Sequence, residues 1–223
     1  MSFISVFDVI GPNMIGPSSS HTAGANVIGF LAQKLAPGRI LQVTFRLYGS
    51  FAKTYRGHGT DKALLGGLLG FRSDDERIVD SFALAEQAGL KFEFIPDDTE
   101  TDIHPNTADV LMECEGGKTM NVRGESLGGG KARICRINGV EVDFTGAYHA
   151  LLVVQKDRPG VLSHITHCLS ESDVNIAFLR LFREGKGDVA YTFAESDDPI
   201  TLDVLPAMRL NKNVLDVMVI EAM

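Results

Sequence analysis

Cysteine is scarce in this chain of 223 residues: Cys114, Cys135 and Cys168 are the full set, and no two form a CxxC pair. That odd, scattered set excludes a disulfide framework and a self-contained metal motif, so each thiol is expected to be buried and free. A basic stripe is missing too. There are 21 Lys and Arg against 29 Asp and Glu, a net charge of −8, which argues against gripping a nucleic-acid backbone. The apolar runs are short and broken by Gly or charge, so no membrane span is expected. The opening MSFISVFDVIG has no basic stretch ahead of an apolar one, so no export signal is expected and a cytoplasmic protein is.

What the chain does have is glycine, unevenly spread. Of 23 glycines, 20 fall in residues 1–148 and three in 149–223. This shift places two domains at 1–147 and 148–223, abutting without a polar linker. The second is regular. Ala150–Lys156 reads as a strand, the Asp157-to-Gly160 turn opens a helix over about Val161–Ser172, and Asn175–Arg183 is a second strand. A hairpin turn from Glu184 to Gly187 leads to a strand over Asp188–Glu195, a helix starting at Pro199 and running to about Leu210, and a strand over Val214–Ile220. The order βαββαβ is a ferredoxin-like unit.

The first domain is expected to be α+β with a largely antiparallel sheet. Helices are expected over Ser20–Leu35, Asp61–Phe71 and Asp74–Ala88, with Gly66-Gly67 allowing close packing inside the second. Strands are expected over Ile40–Tyr48, Lys91–Ile95, Ala108–Glu115, Thr119–Glu125 and Ala132–Phe144, the last bent into a hairpin at Asn138-Gly139.

Two stretches carry candidate chemistry. In IGPSSSHTAGAN, Ser18, Ser19 and Ser20 precede His21 and Thr22 where a helix begins. Free N–H groups and the positive helix end suit a carboxylate or phosphate there, and a serine cap accounts for one of the three hydroxyls. In YGSFAKTYRGHGTDKALLGG, His58 stands between two glycines, with Thr60 and Asp61 starting a helix. Such an imidazole is open to a small substrate and suits proton transfer near neutral pH, or it is an ordinary loop histidine. Asp61 is expected to cap rather than titrate. Arg46, Lys53 and Arg56 form a modest positive group nearby. HPNTADV, with Asn106, and ESLGGGKARI, with Ser126, read as turns, and the triple glycine has neither Walker nor GxGxxG spacing. His164 and His167 share a helix three residues apart, one expected packed and one solvated.

The segment KDRPGVLSHITHCLSESDVNIAFLRL resembles an ACT domain, a module that usually binds an amino acid at a subunit interface. That resemblance implies a ligand site at Asp157, Pro159, Gly160 and Asn175, and a homodimer through the ACT domain. Together with it, FDVIGPNMIGPSSSHTAGA, YGSFAKTYRGHGTD, HPNTA and GGGKARI resemble, in order and across essentially the whole chain, the β subunit of the two-chain, iron–sulfur-dependent L-serine dehydratase. The resemblance implies a first domain related to allosteric substrate-binding domains, and deamination of L-serine to pyruvate and ammonia without pyridoxal phosphate. It also implies a [4Fe-4S] cluster held by cysteines of a separate α subunit, with no metal held by this chain.

In that setting His58 is the leading base and His21 the second, acting as acid, base or hydrogen-bond partner. Ser18, Ser19 and Ser20 with the helix-start N–H groups would grip the substrate carboxylate, and Thr22, Thr60, Asn106 and Ser126 complete the substrate-binding set. Two other readings stand beside this one: a regulatory subunit that senses serine while the α chain holds every catalytic group, and a stand-alone amino-acid-binding module.

Overall fold

A computed structural model describes residues 13–183 and 185–223. The N-terminal stretch read for an export signal, the opening of the FDVIGPNMIGPSSSHTAGA motif, and Glu184 of the expected hairpin turn lie outside the described residues. The chain divides into two units between Asn138 and Gly139.

In the first unit a π-helical turn, Ser19–Ala23, runs into α1, Gly24–Lys34. There follow β1 (Ile40–Tyr48), α2 (Gly49–His58), α3 (Thr60–Leu68), a 3-10 turn (Glu76–Asp80), α4 (Ser81–Gln87), β2 (Lys91–Asp97), β3 (Thr107–Cys114), β4 (Thr119–Gly128) and β5 (Lys131–Ile137). The sheet order is β2-β1-β3-β4-β5-β6, where β6 (Val140–Phe144) is the return arm of a hairpin. Asn138 and Gly139 turn that hairpin with φ of 47° and 91°, the left-handed pair that such a tight turn needs. β1 lies parallel to β2, while β1–β3, β3–β4 and β4–β5 are antiparallel.

Period-two alternation sends Val43, Phe45 and Leu47 of β1 and Val110 and Met112 of β3 to one fully buried face. α1 and α3 belong to the same core, through Ile28, Leu31, Leu64 and Leu65. The two helices touch backbone to backbone. A Cβ on Gly29 would lie 2.1 Å from the Leu64 carbonyl oxygen, and one on Gly67 would lie 2.1 Å from that of Asn26. Only glycine fits such an approach. Buried Asn26 ties the pair by donating to the carbonyls of Ala63 and Phe71, at 3.2 and 3.0 Å.

The opposite face of the sheet is polar and clamped at Arg123. Its guanidinium donates to Asp109 at 2.6 and 2.8 Å and to Glu100 at 2.7 and 2.9 Å, and it lies 4.9 Å from the Tyr48 ring centroid. The Tyr48 hydroxyl donates to Asp109 at 2.7 Å. Burial first, then that carboxylate, pushes the Tyr48 hydroxyl up to about 12, while hydrogen bonds from Arg123 hold Glu100 below the usual carboxylate range.

Four expectations change. Residues 49–58 are helical, so His58 is the last residue of a helix and not part of a loop. The expected helix over Asp74–Ala88 is a 3-10 turn followed by seven residues of α4, with Asp75 capping the turn through the Arg77 amide. The helix expected from Pro199 is confined to Val204–Met208. Arg46 pairs with Asp97 at 3.0 Å, which removes it from the positive group expected near His58.

The second unit carries β7 (His149–Lys156), α5 (Val161–Glu171), β8 (Phe178–Arg183), β9 (Val189–Ser196), α6 (Val204–Met208) and β10 (Val214–Ile220). Its antiparallel sheet has the order β10-β7-β9-β8. Leu151, Val153, Ala194 and Val217 from the strands meet Ile165, Leu169, Val204 and Met208 from the helices in one apolar cluster. This is the expected ferredoxin-like arrangement, so the chain is an α+β protein of two sheets.

Candidate active site

The serine run builds its own turn. Ser18 is extended, its hydroxyl oxygen accepts from the His21 amide at 3.1 Å, and its carbonyl accepts from Thr22 at 2.8 Å and Ala23 at 3.3 Å. The Ala23 bond spans five residues, a π-type turn, and such turns recur at functional sites. The Ser20 carbonyl is satisfied from elsewhere: the Ser126 hydroxyl of β4 donates to it at 2.8 Å. Gly24 makes room for that serine, since a Cβ there would sit 2.0 Å from the Ser126 oxygen.

This turn presents His21 toward the start and end of α2. His21 Nε2 lies 2.8 Å from the Ser50 hydroxyl, Nδ1 lies 3.4 Å from the Ser18 hydroxyl, and Phe51 packs edge-on at 5.4 Å. The His58 ring, one helix length further along α2, is 5.0 Å away centroid to centroid and tilted by 35°. The two histidines read from separate motifs therefore stand together. Burial first, and the nearby His58 second, lower the pKa of His21, so it is neutral near pH 7.

His58 is held from both ends. Its carbonyl accepts from the Thr22 hydroxyl at 3.1 Å, and Gly59 caps α2 in the left-handed conformation at φ 67°. Its Nδ1 lies 3.3 Å from the Thr54 carbonyl. A carbonyl only accepts, so that contact assigns the proton to Nδ1 and leaves the lone pair on Nε2. Thr54 is itself fixed, donating to the Ser50 carbonyl at 2.8 Å.

The HPN turn supports the far end of α2. The Pro105 carbonyl accepts from the Ser50 amide at 2.7 Å, and Gly49, at φ 53°, passes so close that a Cβ would lie 2.7 Å from that oxygen. Asn106 accepts through its carbonyl from the Ser126 amide at 2.9 Å. Turns read as separate hairpins thus meet the serine start through Ser126.

The candidate residues divide by what they expose. Ser18, Ser19, Ser20, His21, His58 and Asn106 are half-buried. Thr22 and Ser126 are buried and committed to the contacts above, which makes them supports. Thr60 is fully buried with no hydrogen-bond partner for its hydroxyl. Asp61 is buried, its carboxylate accepts from the adjacent Lys62 amide at 2.8 Å, and burial raises its pKa. Sequence reasoning missed Ser50, Phe51 and Thr54. Their signal, an aromatic pair at Phe51 and Tyr55, is masked by the glycines at 49 and 57.

In the second unit Asp157 accepts from Arg183 at 2.7 Å and from the Gly187 amide at 3.1 Å, bonds that lower its pKa. Pro159, Gly160 and Asn175 are exposed, and Gly160 starts α5 at φ 85° with no side-chain cap. His164 packs at 3.1 Å from the Met208 carbonyl, and His167 is exposed.

The residues present do not fit a four-iron cluster. Cys114, Cys135 and Cys168 are free thiols, and burial raises all three, Cys135 to about 12, away from the thiolate that a metal needs. Among the described residues no group of three or more His, Cys, Asp or Glu is placed to hold a metal ion, and no helix is long and apolar enough to cross a membrane.

A helix-start histidine pair in an α+β domain, followed by an ACT-like module, defines the class of protein. Residues 5–132 match the family described as serine dehydratase beta chain, and residues 151–203 match the ACT domain of the type found in acetohydroxyacid synthase small subunits. The chain is 41% identical over 201 residues to the L-serine dehydratase beta chain of Peptoniphilus asaccharolyticus, covering 90% of each. It is 40% identical over 217 residues to a probable L-serine dehydratase beta chain of Bacillus subtilis, covering 97% of this chain and 98% of that one. A D-3-phosphoglycerate dehydrogenase of Bacillus subtilis is 27% identical over 174 residues, 78% of this chain and 33% of the relative. The chain belongs to the serine dehydratase beta chain family.

Proposed function

We propose that this chain is one half of a two-chain L-serine dehydratase that converts L-serine to pyruvate and ammonia. The observation that carries the reading is the His21–His58 pair, 5.0 Å apart at the mouth of a serine-lined helix start. The reaction removes the Cα proton and the β-hydroxyl as water. The resulting enamine tautomerises to an imine, and water hydrolyses that to pyruvate and ammonia.

His58 Nε2 takes the Cα proton, because its lone pair is free while Nδ1–H points at the Thr54 carbonyl. Once His58 is charged, His21 beside it stays neutral and offers a hydrogen bond through the Ser50 link, so the pair never holds two charges. Ser19, Ser20 and Asn106 orient the substrate, and Ser18, Thr22 and Ser126 hold the turn that presents them. The cysteines of this chain do not suit an iron–sulfur cluster, so its ligands are assigned to an α subunit. The ACT module takes an amino acid at Asp157, Pro159, Gly160 and Asn175, and two copies pair through the exposed edge strand β8, where Phe178, Leu179 and Leu181 are accessible.

Anaerobic co-purification with an α chain, followed by iron content and pyruvate release from L-serine, tests the assignment. A partner-bound, iron-containing complex that makes pyruvate supports it. A chain that purifies alone and makes none even with the partner supplied contradicts it. A second reading, serine sensing, draws on the resemblance of the first domain to allosteric substrate-binding domains. It predicts that His21→Ala and His58→Ala change serine activation while the maximal rate is retained.

A further inference from the structure

Beside His58 the first unit carries an open pocket of about 300 Å³, lined among others by Ile15, Gly16, Thr22, His58, Ile78 and Val79, with Arg56 and Lys62 as its two cations. A water's share of liquid is about 30 Å³, so the space admits a small molecule. Neither cation makes an ion pair among the described residues. Arg56 touches only its neighbour's ring, at 5.4 Å from the Tyr55 centroid. The acid nearest in sequence, Asp61, is buried and bonded to the Lys62 amide. Two positive groups whose one nearby acid, the buried Asp61, faces both of them, set beside an apolar wall and His58, describe a receptor for a small anion.

We propose that Arg56 and Lys62 seat the carboxylate of the amino-acid substrate in this pocket, presenting its Cα–H to His58 Nε2. The proposal rests on the dehydratase reading above. It moves the carboxylate away from the serine start, where the Ser18 hydroxyl oxygen accepts from the His21 amide at 3.1 Å and stands 3.4 Å from His21 Nδ1, which ties it to the turn. The serine start is thereby left to the β-hydroxyl, whose oxygen gains negative charge as its bond to Cβ breaks and benefits from N–H donors. A full charge goes to full charges, and a developing one goes to dipoles.

The test is steady-state kinetics of the two-chain enzyme carrying Arg56→Met, Lys62→Met or both, with Arg56→Lys as the charge-keeping variant and thermal melting as the folding control. Losing a charge-assisted bond to substrate raises KM roughly tenfold per cation, with the loss in kcat/KM carried mainly by KM, and Arg56→Lys restores most of it. Acetate, which offers a carboxylate alone, competes with L-serine in the parent enzyme and does so more weakly in the double variant. A double variant that melts like the parent and keeps its KM within about twofold overturns the proposal. So does competition by inorganic phosphate but not by acetate. The base assignment fails separately. If His58→Ala keeps its turnover while the double variant raises KM as expected, the carboxylate seat stands and the base reading falls.

Discussion

Gly67→Ala probes how the histidine pair is positioned. The added Cβ would lie 2.1 Å from the Asn26 carbonyl oxygen and 2.7 Å from the Phe30 amide nitrogen, both backbone atoms that cannot rotate away. A tolerable carbon–oxygen contact is about 3.3 Å, so α1 and α3 must part by roughly 1 Å. Overpacking of this kind costs about 3 kcal/mol, and alanine's better helix propensity returns about 1, leaving a net loss near 2 kcal/mol. For a chain of this size that lowers Tm by about 4–8 °C.

Because α1 continues the turn that carries His21 and α3 follows His58 through Gly59, the same shift opens the pair. A displacement of about 1 Å at reacting groups costs on the order of a hundredfold in rate. Thermal unfolding by circular dichroism, with turnover of the paired enzyme, reads both effects. The control is Gly57→Ala: a Cβ there meets nothing within 4 Å, so that variant should be unchanged or more stable by about 0.5–1 kcal/mol. A Gly67→Ala protein that melts with the parent and turns over normally would refute the helix-contact argument.

Ser126→Ala removes the buried hydroxyl that donates to the Ser20 carbonyl and should lower stability by about 1 kcal/mol in urea titration, with a larger loss than Ser19→Ala. Arg123→Met leaves Asp109 and Glu100 without their shared partner. Because Arg123 lowers the Glu100 pKa, the parent's advantage over this variant should be full above the ordinary glutamate value and shrink as pH falls through the lowered one, read from urea midpoints at pH 3 to 7. His21 has the opposite chemistry and the same direction of loss. Its lowered pKa means the unfolded chain binds the proton first, so stability should fall as pH drops below the ordinary histidine value of 6.5, and His21→Gln should flatten that slope between pH 5 and 8.

Local pattern carried the parts that local physics decides. The alternation of β1, the apolar spacing of α5 and the Asn138-Gly139 hairpin follow from nearest neighbours, and so does the βαββαβ order of the second unit. Helix α2 escaped because Gly49 and Gly57 weaken it locally, and its first turn is capped by the Pro105 carbonyl, far along the chain. The π-type turn at the serines is likewise supported by Ser126, a hydroxyl 106 residues away. The histidines were legible as chemistry but not as a pair, since their meeting depends on the glycine contact between α1 and α3. Ser50 and Lys62 became visible only once that contact had placed α2.

The most direct measurement is deuterium exchange at Cα of L-serine, together with pyruvate formation, in the two-chain enzyme carrying His58→Ala. With Nε2 gone, both should fall by about 10²–10⁴-fold while the protein stays folded and keeps its partner. Exchange and pyruvate formation within a few fold of the parent would mean that another group takes the proton, and the central assignment would be wrong.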